Sequence, residues 1–541
     1  MKIKSSKPIF AAFWILCLVL YYRTKSAGFT IDFLGWQESY DGGSFKDILT
    51  CFGYNGLHQI LHLVFYSFYQ LFWTEGLPWY LLFTFLHALN GTLFYRLVQF
   101  LLKQLNMESA PPIALAGSLA FLVNPFNVEP VVWKVCVHYL MSLSFLLILL
   151  WHVSHFLAQA TNKRLLYAHL TLVLSLFTLE LSLVFPIFTL IWAIFGYFTY
   201  GKSTSVKKII GGLVAPQFII LTGYFFLNKW ILGDWVGHYG TKTHLNIKPV
   251  EMLSTMYKYF AKYSLFGRFL DFKKEEAIYG FFNGSSVVWG ITALLFIFTL
   301  ILFVRWSKLS NQIKFLWLSF VSFFIALAPV SNLFFYFLQY SENDRYGYLA
   351  APFFSLFLVL MTFWFAPKIR YALLICWISL SVYFQQKVAI AWQENAIIYE
   401  YLLKDFRWYD APKVLMLNLP DNYAGTYLFR IIKREDPLVD DLKYHLQKPY
   451  NGQLQQVAQY NMMHLDEGVS VEQIDSMQLK VIFNQWGNWW WKDGIGISNY
   501  ENNLYKFKLI EKGYQLTFKQ RPDDWTMIYQ VGANFQEFKF K

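Results

Sequence analysis

Apolar segments that could cross a bilayer recur along the chain as far as Phe384, and they constrain the fold more than any other feature. A transmembrane α-helix needs about 20 consecutive, mainly apolar residues. We place about eleven spans, at 8–22, 79–102, 112–123, 131–150, 165–179, 181–198, 209–226, 287–304, 315–330, 346–365 and 371–384. Several are shorter than that length, and 112–123 is the weakest. Together they predict an α-helical polytopic membrane protein.

The composition agrees with a membrane protein and argues against a soluble one that binds nucleic acid. Of the 541 residues, 56% are hydrophobic and 15% are charged, whereas soluble proteins carry about 25% charged residues. The net charge of +12 is explained by Lys and Arg in predicted cytoplasmic loops. The four cysteines form neither a disulfide framework nor a zinc motif.

The positions of the basic residues predict the orientation of the spans. If the N-terminus is cytoplasmic, every inside connection is basic, through Lys103, Lys163, Arg164, Lys202, Lys207, Lys208, Arg305, Lys308, Lys314, Lys368 and Arg370. The outside connections 124–130 and 179–181 carry acids instead, as the positive-inside rule requires. The first apolar segment is interpreted as a retained span, because no convincing small-residue cleavage site follows it.

Amphipathic stretches outside the spans, 56–73 and 250–270, predict helices that lie on the membrane surface. A further helix is predicted at 385–406. Beyond it, 414–420 predicts a buried strand that ends at a proline turn, and 505–510, 514–519 and 525–530 predict further strands. The expected organisation is a transmembrane domain, 1–405, and a small α+β or β-rich extracytoplasmic domain, 406–541.

Ionisable residues gather at the predicted outside ends of the spans. They are Asp32, Glu129, Glu180, Asp344 and Arg345, with Lys134 and His138 one or two turns inside the fourth span. Charged groups at this depth are costly and are usually functional. Solvated helix ends, snorkelling of the lysine and ordinary packing of the histidine are the alternatives. The loop 29–41 offers Glu38 and Asp41 beside Asp32.

Group transfer from a lipid-linked donor suits a site of this composition. A carboxylate in the first outside loop can take a proton from an acceptor hydroxyl, and Arg or Lys can neutralise a departing phosphate. That step needs neither a metal nor a cofactor. His58 and His62 are spaced i, i+4 as metal ligands can be, but no third ligand is evident. A transporter or lipid-linked sugar flippase is the main alternative, although no repeated halves are visible.

Five short motifs follow one another in a fixed order within 1–405. They are Asp32-Phe33, then N-P-F-N-V-E-P at 124–130 with Trp133, Leu179-Glu180 with Pro186, P-V-S-N-L at 329–333, and D-R-Y-G-Y-L at 344–349. In this order they resemble the motifs of the C-type glycosyltransferase superfamily. The likeness is strongest to the transmembrane O-mannosyltransferases that carry tetratricopeptide repeats and to their bacterial relatives. Trp392, in the predicted exit helix, fits the same pattern.

The chain departs from the family pattern at several positions. Phe33 stands where the family has a second Asp, Asn124 and Asn127 stand where it has His, and Leu179 stands where it has Lys. The repeats are absent, and the predicted domain at 406–541 takes their place.

The resemblance implies a role for each matching residue. Asp32 would be the general base, Glu129 a second acid that orients acceptor or donor, and Arg345 a contact of the lipid phosphate. Other substrate-binding residues would be Tyr346, Asn332, Glu180, Lys134 and His138. The reaction would be inverting transfer from a polyprenyl-phosphate sugar to a hydroxyl of a protein or glycolipid, within membrane lipid and without nucleic acid.

The missing repeats, the few cysteines and the frequent Lys, Asn, Phe and Tyr favour a bacterial inner membrane. The C-terminal domain would then be periplasmic. A non-catalytic scaffold is a further alternative, in which Trp486 and 489–491 stack on sugars.

Overall fold

Helices dominate the chain as far as Asp405, and strands dominate after it. The computed structural model describes residues 7–50, 56–107, 109–199, 204–237, 247–333, 344–429, 437–483, 490–492 and 495–541. The chain forms two compact units. The first contains Met1–Lys25 and Gly43–Val388, and the second contains Ser26–Gly42 and Ala389–Lys541. Their boundary falls inside the last long helix, Pro367–Asp405, and the predicted domain boundary at 405/406 coincides with the end of that helix.

The first unit is built from helices, most of which form where the apolar segments lie. They are α1 (Lys7–Tyr21), α3 (Phe45–Leu49), α4 (Gln59–Phe72), α5 (Gly76–Gln104), α6 (Ala110–Leu122), α7 (Val128–Val132), α8 (Val137–Ala158), α9 (Asn162–Leu176), α10 (Phe185–Thr199), α11 (Val206–Lys208), α12 (Ala215–Leu232), α13 (Pro249–Leu265), α14 (Phe272–Phe281), α15 (Ser285–Val304), α16 (Asn311–Leu327), α17 (Ala351–Thr362) and α18 (Pro367–Asp405). Helix α18 continues into the second unit, to which α2 (Asp32–Gly42) and α19 (Pro437–Leu446) belong.

Short 3-10 helices link these elements where the sequence has Pro, Asn or charged residues. Those near the predicted site are Pro125–Asn127, Lys134–Cys136, Glu180–Val184, Gly267–Phe269, Ala328–Leu333 and Arg345–Gly347. A π-helical turn, Ile209–Val214, joins α11 to α12.

Eight helical stretches in the described residues are long and apolar enough to cross a membrane. They are Lys7–Thr24, Gly76–Gln104, Lys134–Ala158, Glu180–Thr199, Val206–Leu232, Ser285–Val304, Asn311–Leu333 and Pro367–Asp405. A ninth candidate is the pair α6 and Pro125–Val132, which is bent by 55°. The predicted spans 165–179 and 346–365 correspond to shorter helices, α9 with 15 residues and α17 with 12. The polytopic helical class is confirmed, and the count of eleven stays a prediction.

The stretches assigned to the membrane surface are helical. Segment 56–73 contains α4, and segment 250–270 contains most of α13 and the 3-10 helix Gly267–Phe269. Their location on a membrane surface stays a prediction. Segment 385–406 is the continuation of the last span, because 371–384 and 385–405 both lie within the single 39-residue helix α18.

Two sheets build the second unit. The first has the order β12-β11-β1-β3-β6-β7, with β2 paired to β1, and the second has the order β4-β5-β10-β9-β8. The strands are β1 (Lys413–Tyr423), β2 (Thr426–Tyr427), β3 (Gln453–Met462), β4 (Val469–Gln473), β5 (Gln478–Phe483), β6 (Trp490–Lys492), β7 (Ile495–Gly496), β8 (Tyr500–Glu501), β9 (Tyr505–Ile510), β10 (Gly513–Phe518), β11 (Thr526–Val531) and β12 (Asn534–Phe538). A β-rich C-terminal domain is therefore confirmed.

The central strand β1 is buried along almost its whole length, as expected of a strand covered on both faces. It pairs in parallel with β11 and β3. The prediction that this strand ends at Pro420 is wrong, because the strand continues to Tyr423. A register shift between Pro420 and Asn422 accommodates the proline, which has no N–H to donate.

The stretch that follows the first span is a helix rather than the expected loop. Helix α2 packs against α19 in the second unit, and Gln37 Nε2 donates a hydrogen bond to the Tyr444 carbonyl at 3.3 Å. Ile31, just before the helix, has a φ of 57°, so the chain enters α2 through a left-handed residue.

Candidate functional site

Glu129 and Arg345 form a buried ion pair in the first unit. Arg345 Nη1 donates to Glu129 Oε1 at 2.6 Å, and the main-chain N–H of Arg345 donates to Glu129 Oε2 at 2.7 Å. The carboxylate side chain is fully buried, whereas the arginine side chain is 16% exposed. Both carboxylate oxygens therefore bind one residue, Arg345, whose side chain is the more exposed of the two.

The bend between α6 and α7 positions Glu129. Pro125 interrupts the helix, and two asparagines bind the main chain around it. Asn124 Oδ1 accepts a hydrogen bond from the Phe126 N–H at 3.0 Å, and Asn127 Nδ2 donates to the Phe121 carbonyl at 2.7 Å. Both asparagines thus stabilise the bend.

Aromatic rings hold the guanidinium of Arg345. Its Cζ lies 4.5 Å from the ring centre of Tyr346 and 5.1 Å from that of Trp133. Its Nη2 donates to the Tyr346 hydroxyl at 3.1 Å. Cation–π contacts of this kind are stronger where water is excluded. The guanidinium is therefore fixed in orientation by Glu129 and by two rings.

Asp344, the residue before Arg345, forms a second set of ion pairs. Lys262 Nζ lies 2.5 Å from Asp344 Oδ1, and Arg268 Nη1 donates to Asp344 Oδ2. Lys262 and Asp344 have fully buried side chains, and that of Arg268 is 8% exposed. Both cations lie over the ring of Phe126, at 5.2 and 5.6 Å from its centre.

The neighbouring Tyr263 reinforces this contact, because its hydroxyl donates to the Gly347 carbonyl at 3.0 Å. Helix α13 therefore holds the segment that carries Arg345. Burial lowers the pKa of Lys262, and the nearby Asp344 carboxylate opposes that shift.

We use the name ion cluster for five side chains, those of Glu129, Asp344, Arg345, Lys262 and Arg268. It contains three cations and two carboxylates, so it carries one positive charge in excess. A net charge in a buried place is costly unless a partner compensates it. Chemically, the arrangement suits an anion that reaches it at the partly exposed arginines.

Lys134 and His138 lie near this cluster. Lys134 is buried, with Nζ 5.2 Å from the ring centre of Phe83. His138 is half-buried, and its ring centre is 4.5 Å from that of Tyr139. Tyr139 in turn meets Tyr346 edge-on, at 6.2 Å between ring centres. These ring contacts lead from His138 to Tyr346, the residue that follows Arg345.

Glu180 and Asn332 come from two further motifs that the fold brings together. Glu180 is buried in the 3-10 helix Glu180–Val184, which packs against Ala328–Leu333. Asn332 lies on the latter and is half-buried. The structure therefore joins the third motif to the fourth, and the second to the fifth.

Asp32 belongs to the second unit and is the exposed first residue of α2. Phe33, at the position of the second Asp of the family pair, is fully buried and meets Phe29 edge-on at 5.0 Å between ring centres. Glu38 and Asp41 are exposed on the same helix. The catalytic role of Asp32 stays a prediction.

No functional role was predicted for Lys262 and Arg268. Basic residues among aromatics in 250–270 suggested a surface helix, yet Lys258 and Lys262 are buried. The sequence signal for this buried face was the i, i+4 spacing of Lys258 and Lys262. It places both lysines on the helix face that also carries Tyr259 and Tyr263.

In the part of the chain that the structure describes, no three His, Cys, Asp or Glu side chains are grouped as a metal ion would require. The rings of His58 and His62 lie 6.5 Å apart between centres.

Comparison with known proteins gives a distant structural likeness. No protein-family model matches the chain, and no curated protein matches it. Among solved structures it is similar to the archaeal oligosaccharyltransferase AglB from Archaeoglobus fulgidus, in complex with an inhibitory peptide and a dolichol-phosphate. The identity is 11% and the TM-score 0.33, and the match covers 83% of this chain and 65% of that enzyme. A likeness this distant assigns neither a family nor a function.

Proposed function

We propose that this protein is an integral-membrane glycosyltransferase that moves a sugar from a polyprenyl-phosphate donor to a hydroxyl of a protein or glycolipid. The observation that carries the proposal is the ion pair between Glu129 and Arg345. These residues are 216 positions apart and belong to two of the five motifs that resemble C-type glycosyltransferases. A guanidinium that is held in place by a buried carboxylate, on a side chain that is still 16% exposed, is suited to holding a phosphate.

Arg345 is the proposed contact of the lipid phosphate. A guanidinium binds phosphate oxygens through a rigid fork of N–H donors, and charge-assisted hydrogen bonds of this kind are strong. Glu129 would act through Arg345, because both of its oxygens bind that residue. Tyr346, Lys134, His138, Glu180 and Asn332 are proposed to bind other parts of the substrates.

In the proposed reaction, the acceptor oxygen attacks C1 of the sugar on the face opposite the phosphate. The bond from C1 to the phosphate oxygen breaks, and polyprenyl phosphate leaves with the bonding electrons. The acceptor proton passes to the carboxylate of Asp32, which is proposed as the general base on the motif and on its exposure. The configuration at C1 is inverted, and Arg345 stabilises the negative charge on the leaving phosphate.

The test uses purified full-length protein in lipid nanodiscs, a panel of polyprenyl-phosphate sugars, and membranes from a strain that lacks the gene as the source of acceptor. Mass spectrometry measures the release of polyprenyl phosphate and the gain of sugar mass on the acceptor. Wild-type protein should produce both. Asp32→Asn should remain folded and lose about 100-fold or more in rate, the usual contribution of a general base.

Asp41→Asn is the matched control, because Asp41 is an exposed carboxylate on the same helix. It should transfer sugar at the wild-type rate. Wild-type rates from Asp32→Asn would sink the assignment of the base. Donor-dependent movement of lipid across the bilayer, with no transfer to any acceptor, would favour a flippase instead.

A further inference from the structure

Glu275 is a buried carboxyl group beside the ion cluster. It lies on α14, which packs against α13, the helix that carries Lys262. The residue is 4% exposed, and within the described residues its Oε1 has no hydrogen-bond partner. No ion pair to Glu275 occurs there either. A buried carboxyl oxygen without a hydrogen-bond partner is rare and calls for an explanation.

The groups around Glu275 are mainly cationic. Lys262 faces it from α13 and Arg268 from the 3-10 helix Gly267–Phe269, and Tyr279 lies one turn further along α14. The Tyr279 hydroxyl is also buried without a hydrogen-bond partner in the described part of the chain. It lies against Gly267, where an added Cβ would come within 2.4 Å of it.

The ion cluster has one positive charge in excess, and an ionised Glu275 compensates it. If an anion binds to the cluster, the anion supplies that compensation. An ionised Glu275 then adds a negative charge in excess, which is costly in a buried place. Neutralisation by a proton is the usual response of a buried carboxylate in that position.

We propose that the ion cluster binds the phosphodiester of the lipid-linked donor and that Glu275 takes up a proton when this anion binds. The inference rests on the proposed function, which supplies the phosphodiester. Arg345 has the most exposed side chain of the cluster, at 16%, and Arg268 follows at 8%, so these two are the proposed direct contacts. Lys262 is enclosed and contributes charge rather than direct contact.

The pH dependence follows from the state of Glu275. Burial raises its pKa to about 7, and the charges of Lys262 and Arg268 act in the opposite direction. The group is therefore mostly neutral at about pH 6 and mostly ionised at about pH 8. If the donor binds only the neutral form, its affinity should be about tenfold lower at the higher pH. A phosphodiester keeps a single negative charge throughout this range.

The test uses full-length protein in nanodiscs and citronellyl methyl phosphate, an isoprenoid phosphodiester, as the probe. Isothermal titration calorimetry in buffers of different ionisation enthalpy gives the Kd and the number of protons taken up. Wild-type protein should bind about tenfold more weakly at about pH 8 than at about pH 6, with proton uptake near neutral pH. Glu275→Gln, which is always neutral, should bind tightly at both values and take up no proton.

Glu276→Gln is the control, because Glu276 is the exposed neighbour and its loss should leave the pH dependence unchanged. Infrared spectroscopy gives a readout without ligand, since the band of a protonated carboxyl should disappear as the pH rises and be absent from Glu275→Gln. Equal pH dependence in wild type and Glu275→Gln would overturn the proposal. A probe that binds at no pH, while the carboxyl band still titrates, would overturn the donor assignment and this binding site together.

Discussion

Removing one member of the Glu129–Arg345 pair should destabilise the first unit, and removing both should cost less than the sum. In Glu129→Gln the amide keeps the volume of the side chain. It can still accept one of the two hydrogen bonds that the carboxylate accepts at 2.6 and 2.7 Å. One charge-assisted hydrogen bond is lost and the arginine loses its counterion, so we expect a loss of about 2–3 kcal/mol.

Arg345→Gln is expected to be the more damaging change. The Glu129 carboxylate is fully buried and would keep only the main-chain N–H of residue 345 as a donor. Breaking a buried pair from one side costs about 3–5 kcal/mol, because a charge is left without compensation. The double variant leaves no such charge. We therefore expect the double-mutant cycle to give a coupling of about 2–3 kcal/mol.

Unfolding by sodium dodecyl sulfate in mixed micelles, followed by circular dichroism, measures these differences. The exposed pair Lys248–Glu251, with side chains 49% and 38% exposed, is the control. Its single and double Gln variants should be additive and nearly neutral, as exposed pairs usually are. Additive effects at Glu129 and Arg345 would show that the two side chains do not interact, and would refute the site.

Three further substitutions test other parts of the structure. Gly347→Ala should destabilise the first unit by about 1–3 kcal/mol in the same assay, because its Cβ would lie 2.5 Å from the hydroxyl of the buried Tyr263. Asn418→Leu should cost about 2–3 kcal/mol in thermal unfolding, since Asn418 binds both the N–H and the carbonyl of Gln530. Phe33→Asp, which restores the acidic pair of the family, should lower the yield of folded protein in size-exclusion chromatography, because Phe33 is fully buried.

Each of these changes has a matched control. Gly290→Ala places a Cβ with nothing within 4 Å and should be neutral, so equal losses at both glycines would exclude the proposed clash. Asn534→Leu changes an exposed asparagine of β12 and should be tolerated. Phe33→Leu keeps an apolar side chain. A yield from it as low as that from Phe33→Asp would point to ring packing rather than charge.

The helical class of the first unit could be predicted because each long apolar segment forms its element locally. The number of membrane spans was harder to predict. Helices α9 and α17 are shorter than a perpendicular span requires, and the segment 112–123 belongs to a bent pair of helices. In the second unit, alternating side chains predicted β9, β10 and β11. The sheet order did not follow, because β1 pairs in parallel with β11, more than a hundred positions along the chain.

In the candidate site, too, positions along the chain could be predicted, whereas contacts between distant residues could not. Glu129, Asp344 and Arg345 could be selected from the sequence because their positions at span ends are local facts. That Lys262 and Arg268 bind Asp344 depends on the packing of α13, and an interleaved basic and aromatic pattern is compatible with either a surface or a buried helix.

The bend between α6 and α7 gives Asn124 and Asn127 a structural role. Both side chains bind the main chain, at 3.0 and 2.7 Å, and Glu129 follows Asn127 after one intervening residue. These hydrogen bonds therefore stabilise the bend that brings Glu129 to Arg345. If the chain transfers sugar, its chemistry must then depend on the carboxylates and the cations rather than on this pair of positions.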